Sequence, residues 1–182
     1  MITYEKPGNI NTEETLKIAL SAATERNLDI VVATSTGKTA IRLAELAKEN
    51  GFTGKIIAVT LAYGMAKAAN NKEIAASLKS KGIEVVTAAH SLSGGERSLL
   101  QKFQGIYPLE LIAYTLRIFS QGIKVAVEIS LMATDSGQIT IGDSVVAVGG
   151  TSDGADTACI ITPSNTANLL DTKVHEILCK PY

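Results

Sequence analysis

The chain has 182 residues, of which 46% are hydrophobic and 19% charged, the balance of one globular domain over residues 1–182 rather than of a disordered chain. Seventeen basic against eighteen acidic residues give a net charge of −1, with 4% aromatics and no basic block, which disfavours any nucleic-acid partner. No apolar stretch reaches the roughly 18 to 20 residues of a membrane span and the opening MITYEKPGNINTEE is polar, so the sequence predicts a soluble, cytoplasmic protein with no membrane partner.

The first helix is expected after Asn11, with Asn11 as cap, Glu14 as its capping-box partner and Leu16, Ala19, Leu20 and Ala23 on one face. Asn27 ends it. Residues 30–33 are a short all-apolar strand, as a strand covered on both faces should be, and Ala40, Leu43, Ala44 and Ala47 mark the next helix up to Gly51. The unit repeats: a strand at 56–61, a helix around 74–78 stopped by Gly82, and a third strand at 83–88. Three parallel strands with right-handed crossovers follow.

The second half is less regular. Pro108 opens a helix through Leu111, Ile112 and Phe119 to Gly122, and the apolar run 125–129, which carries Glu128, reads as a strand. Residues 143–150, 157–162 and 174–179 read as further strands between turn residues, at least one of them antiparallel at the sheet edge. The fold class is therefore α/β: a three-layer α/β/α sandwich on a mostly parallel, mixed sheet of about five strands. Cys159 and Cys179 lie in apolar runs without metal-ligand spacing, which argues for reduced core residues and no metal site.

Residues 35–39, S-T-G-K-T, resemble the end of an ATP-binding P-loop, and 92–97, L-S-G-G-E-R, resemble the signature of ABC-type ATPases. The first P-loop glycine would fall at Val32, inside a strand, and the three clear parallel strands run into Thr34, Thr60 and Thr87 rather than into a magnesium-holding Asp. An ABC-like ATPase is thus the remote alternative. G-x-G-x-x-G is absent after the first strand, which disfavours a dinucleotide site. What remains is Thr34, Ser35, Thr36 and Thr39 around Gly37, with the charge of Lys38, at a helix N-terminus where free N–H groups and the dipole favour an anion. Simple capping by Ser or Thr is the competing explanation.

The run IVVATSTGKTAIRLAEL followed by KIIAVT, together with GDSVVAVGGTSDGADTACII near the end, resembles the C-terminal α/β domain of pyruvate kinase. The resemblance implies that Thr34, Ser35, Thr36, Gly37, Lys38 and Thr39 bind a phosphate. It also implies a second glycine-rich turn at 149–154, with Gly149, Gly150, Thr151 and Gly154, where this chain has Asp153. The 182 residues leave no room for the eight strand–helix units of the catalytic barrel. The sequence looks like stand-alone microbial proteins built from this domain, for which flavin mononucleotide (FMN) is one candidate ligand.

His90, Ser91 and Ser93 follow the third strand and stand as candidates for the same carboxyl edge as Thr34 and Thr60, with Arg97 and Lys102 as further cations. The segment 90–107 is long for a structureless connection, so it is either a lid or holds a short helix around 98–103. Glu128, Asp135 and Asp156 are candidate acids, Asp156 being better explained as an acid satisfied by backbone N–H groups in a turn. His175, in a late strand, reads as structural. The functional expectation is binding of a phosphorylated small molecule, with an enzyme acting on such a ligand as the alternative. Assembly into a homo-oligomer stays open.

Overall fold

Along the central strands alternate side chains enter two separate cores. Ile30 and Val32 face one way with Ile56, Ala58, Val146 and Val148, while Val31 faces the other with Ile57, Val59, Val145 and Ala147. A computed structural model describes residues 1–65 and 71–182, the side chain of residue 71 excepted. In chain order it has β1 (Ile2–Tyr4), α1 (Thr12–Arg26), β2 (Asp29–Ala33), α2 (Lys38–Glu49), β3 (Ile56–Thr60), α3 (Asn71–Lys79), β4 (Glu84–Thr87), α4 (Glu96–Phe103), α5 (Pro108–Arg117), α6 (Gln121–Asp135), β5 (Val145–Gly149), β6 (Thr157–Thr162) and β7 (Lys173–Pro181). The strands form one seven-stranded sheet in the order β1-β7-β6-β5-β2-β3-β4. Helices α1 and α2 cover one face and α5 and α6 the other, the three layers that all-apolar strands such as β3 require.

Strands β2, β3 and β4 pair in parallel as expected, and β5 joins the other side of β2, also in parallel. The antiparallel strand is β6, between β5 and β7. It is interior rather than at the edge, because β7 and the unforeseen β1 continue the sheet beyond it. These strands bring the total to seven where about five were expected.

Helix α1 buries Leu16, Ala19, Leu20 and Ala23 and ends at Asn27, whose left-handed backbone (φ 53°) closes the last turn. Its start differs from the expected capping box: Asn11 makes no side-chain cap, and its amide donates instead to the carbonyls of Lys6 and Gly8.

The run 125–129 is not a strand. It lies inside α6, whose residues from Gly122 to Thr134 are buried with the single exception of Val125. A helix apolar on nearly every side has the composition of a buried strand when only five residues are read. The helix expected from Pro108 to Gly122 accordingly ends at Arg117, and Ser120 opens the next by accepting the N–H of Ile123 at 3.0 Å.

Candidate functional site

The chain leaves β2 towards β3 and β4 on one side and returns to β5 on the other, so the carboxyl ends of β2 and β5 meet where the strand order reverses. Crevices of open α/β sheets form at such a point. Here it holds a cavity of about 610 Å³. One wall is the turn after β2, with Thr34, Ser35, Thr36, Lys38 and Thr39; another is Gly150, Ser152, Asp153 and Gly154; Thr60 and His90 come from β3 and the segment after β4; and Gln121, Val125, Glu128, Ile129 and Met132 come from α6.

In the 34–39 turn, β2 ends with Thr34 donating its N–H to the Val59 carbonyl, and the Thr34 hydroxyl accepts the N–H of Gly37 at 3.0 Å. Gly37 then begins α2 with φ 86°, a backbone that favours glycine. Beyond Gly37, among the described residues no side chain accepts the N–H groups of the first turn of this helix. The first N–H groups of α2 have no acceptor within the helix by its geometry, and Ser35, Thr36 and Thr39 do not cap it either. Lys38 is exposed and, among the described residues, forms no ion pair. The nearby Arg42 is already engaged, donating to both oxygens of Glu13 at 2.9 and 2.7 Å.

The glycines of the second turn are fixed by packing. A Cβ on Gly149 would lie 2.4 Å from the Gly122 carbonyl, one on Gly150 2.5 Å from the Gly154 carbonyl, and one on Gly154 2.3 Å from the Thr12 hydroxyl. Asp156 ties this turn down from beneath. Fully buried, it accepts the N–H groups of Gly8 at 2.8 Å and Thr151 at 3.1 Å and the hydroxyl of Thr157 at 2.8 Å. Asp156, Thr151 and Gly149 therefore shape the wall without lining it, and the Asp156 carboxylate is satisfied within the protein.

Glu128, 2% exposed, sits where the cavity meets α6. Its carboxylate accepts the Leu92 N–H at 3.1 Å, lies 3.1 Å from His90 Nδ1 and pairs with the ammonium of Lys124 one turn earlier. Burial pushes its pKa up, but the hydrogen bond from His90 and the charge and hydrogen bond of Lys124 outweigh burial and hold it down at about 2. Burial lowers Lys124, against the upward pull of Glu128. His90 is thereby oriented at the cavity wall with one ring nitrogen occupied.

The remaining candidates are committed to other partners or lie elsewhere. The Thr60 hydroxyl is committed to Thr87 at 2.7 Å and the Val86 carbonyl at 3.3 Å. Ser91 accepts from Thr166. Ser93 and Arg97 line a different, smaller cavity, so neither reaches the carboxyl edge as expected, because the chain turns at 90–95 into α4 and carries them to the far side of Glu128. Asp135, at the end of α6, accepts the Thr166 N–H at 2.9 Å, outside the cavity. His175 bonds Thr162 at 2.7 Å on the surface. Both cysteines are free and buried. Asn9, Thr12 and Gln121 line the cavity without any signal in their own neighbourhoods, since only the fold brings the N-terminal pair and Gln121 together.

A family model described as pyruvate kinase, alpha/beta domain, matches residues 13–161. The chain belongs to this family. The match runs from α1 to the end of β6 and so spans the 34–39 turn, the glycine turn and Glu128. Among the described residues no helix is long and apolar enough to cross a membrane, and no group of His, Cys, Asp and Glu could hold a metal ion.

Proposed function

We propose that this domain binds a phosphorylated small molecule, a mononucleotide such as FMN or a phosphometabolite, with the phosphate on the 34–39 turn and the remainder in the adjoining cavity. The observation that carries this reading is the N-terminus of α2, where only the Gly37 N–H meets a side-chain acceptor among the described residues, with Lys38 beside it, opening on a cavity of about 610 Å³. The Thr34 hydroxyl takes the Gly37 N–H, but among the described residues no hydroxyl of the turn takes those of Lys38, Thr39 or Ala40, which supports their availability to an anion. The volume falls within the roughly 300–1,000 Å³ of sites that bury a drug-sized ligand. Val59, Val125, Ile129 and Met132 give the cavity an apolar side suited to a flat ring such as a flavin's.

An enzyme acting on such a ligand is the second reading, favoured by the His90–Glu128 pair in the same wall. The binding reading is tested by unfolding purified protein and analysing the released small molecules by mass spectrometry, then titrating the match back by calorimetry. A stoichiometric phosphate monoester that rebinds supports it. Rebinding of the dephosphorylated compound with equal affinity contradicts it, and conversion of the ligand during the titration decides for the enzyme.

A further inference from the structure

On the far side of Glu128 a second cavity, of about 190 Å³, lies between α4, α5 and the first turn of α6. It is smaller than sites for drug-sized ligands, and suits an ion. Arg97, Arg117 and Lys124 line it. Lys124 has Glu128 as its counter-charge, but among the described residues neither arginine forms an ion pair, although Glu96 and Glu110 share the cavity walls. Glu96 is occupied with the N–H of Leu109 at 3.0 Å. Arg117 is held in place from outside: its Nε donates to Gln121 at 2.7 Å and its guanidinium lies 4.9 Å from the Tyr114 ring centre.

Three cations thus line one cavity; Glu128 is spent on the buried Lys124 and Glu96 on the Leu109 N–H, and among the described residues neither Glu96 nor Glu110 forms an ion pair with either arginine. Their proximity is felt, because Arg117 and Arg97 both add to the burial that lowers Lys124. Two guanidiniums facing a common space form a fork for an oxyanion, which accepts charge-assisted hydrogen bonds from each and removes their mutual repulsion. Ser93 offers a further hydroxyl donor in the same wall.

We propose that this cavity is a second, independent binding site for a small oxyanion, held by Arg97, Arg117 and Lys124. It does not depend on the phosphate turn. The two sites share only Glu128, which pairs Lys124 on one side and His90 on the other.

The test is an NMR titration of the isotope-labelled full chain with inorganic phosphate and, separately, malonate, following backbone amides. Amides at 92–97 and 113–117 are expected to shift saturably with at least one of the two anions, equally in the wild-type and Lys38→Ala proteins. Response to phosphate alone marks the tetrahedral anion as the ligand and response to malonate alone the carboxylate. Arg97 is exposed and, among the described residues, forms no ion pair, so Arg97→Gln leaves folding intact and is expected to weaken these shifts about tenfold, as loss of one charge-assisted hydrogen bond does. Absence of saturable shifts with both anions, or shifts indifferent to Arg97→Gln, overturns the proposal. The phosphate turn is judged apart from this, by the amides at 34–39 and their response to Lys38→Ala.

Discussion

Glu128 concentrates the electrostatics of the molecule in one side chain. Buried to 2% exposure, it stays ionised because a backbone N–H, His90 and Lys124 all face it. Its folded pKa of about 2 lies below the ordinary 4.5, so its contribution to stability is complete above the unfolded value and is lost as pH falls from 4.5 towards 2. Thermal melts across that window should show a steep loss. In Glu128→Gln the loss should flatten, and at neutral pH the variant should be less stable by about 3–5 kcal/mol, since Lys124 stays buried without its partner. Gly154 is a second residue whose part is structural. With φ 76° and a Cβ that would meet Thr12 at 2.3 Å and Asn9 at 2.8 Å, Gly154→Ala should cost about 1–3 kcal/mol in a denaturant melt.

The elements that the sequence made legible are those with a strong local signature. The face of α1 and the parallel strands β2 to β4 follow from periodicity and turn residues, and the length of 90–107 points to a lid or a short helix, of which α4 is the helix. Helix α6 did not, since its apolar character carries no period until all fifteen residues are taken together. Strand β1 has three residues and is held by its pairing with β7 and by the buried Tyr4, long-range contacts that local reading cannot weigh. The same distinction divides the site. The 34–39 turn is a contiguous motif, whereas Gln121, Asn9 and the Glu128–His90–Lys124 cluster exist only once α6 lies against the sheet. In the 90–107 segment, Leu92 is buried and tied to Glu128, but Gly94 and Gly95 are exposed just before α4. If this segment moves over a ligand, limited proteolysis should cut at Gly94–Gly95 in the free protein and slow with ligand bound. Equal cutting in both states would leave it an ordinary turn.

Across the whole molecule, the reversal of strand order between β2 and β5 sets the carboxyl edge as the place where the larger cavity opens. The S-T-G-K-T turn lies at that edge, and we propose it as a strand–turn–helix anion site rather than a P-loop: Val32 is a fully buried core residue of β2 in the position where the first P-loop glycine would wrap a triphosphate. No ATP or GTP turnover above a mock preparation is therefore expected with magnesium, and a malachite-green assay checks it. The measurement that bears most directly on the phosphate turn is calorimetry of FMN and riboflavin against the wild-type and Lys38→Ala proteins. Wild type should prefer FMN, and Lys38→Ala should remove about 1–3 kcal/mol of that preference, the worth of one charge-assisted hydrogen bond, while riboflavin affinity stays unchanged. A preference for FMN that survives Lys38→Ala undiminished, or equal binding of both compounds to wild type, would contradict the assignment of phosphate to this turn.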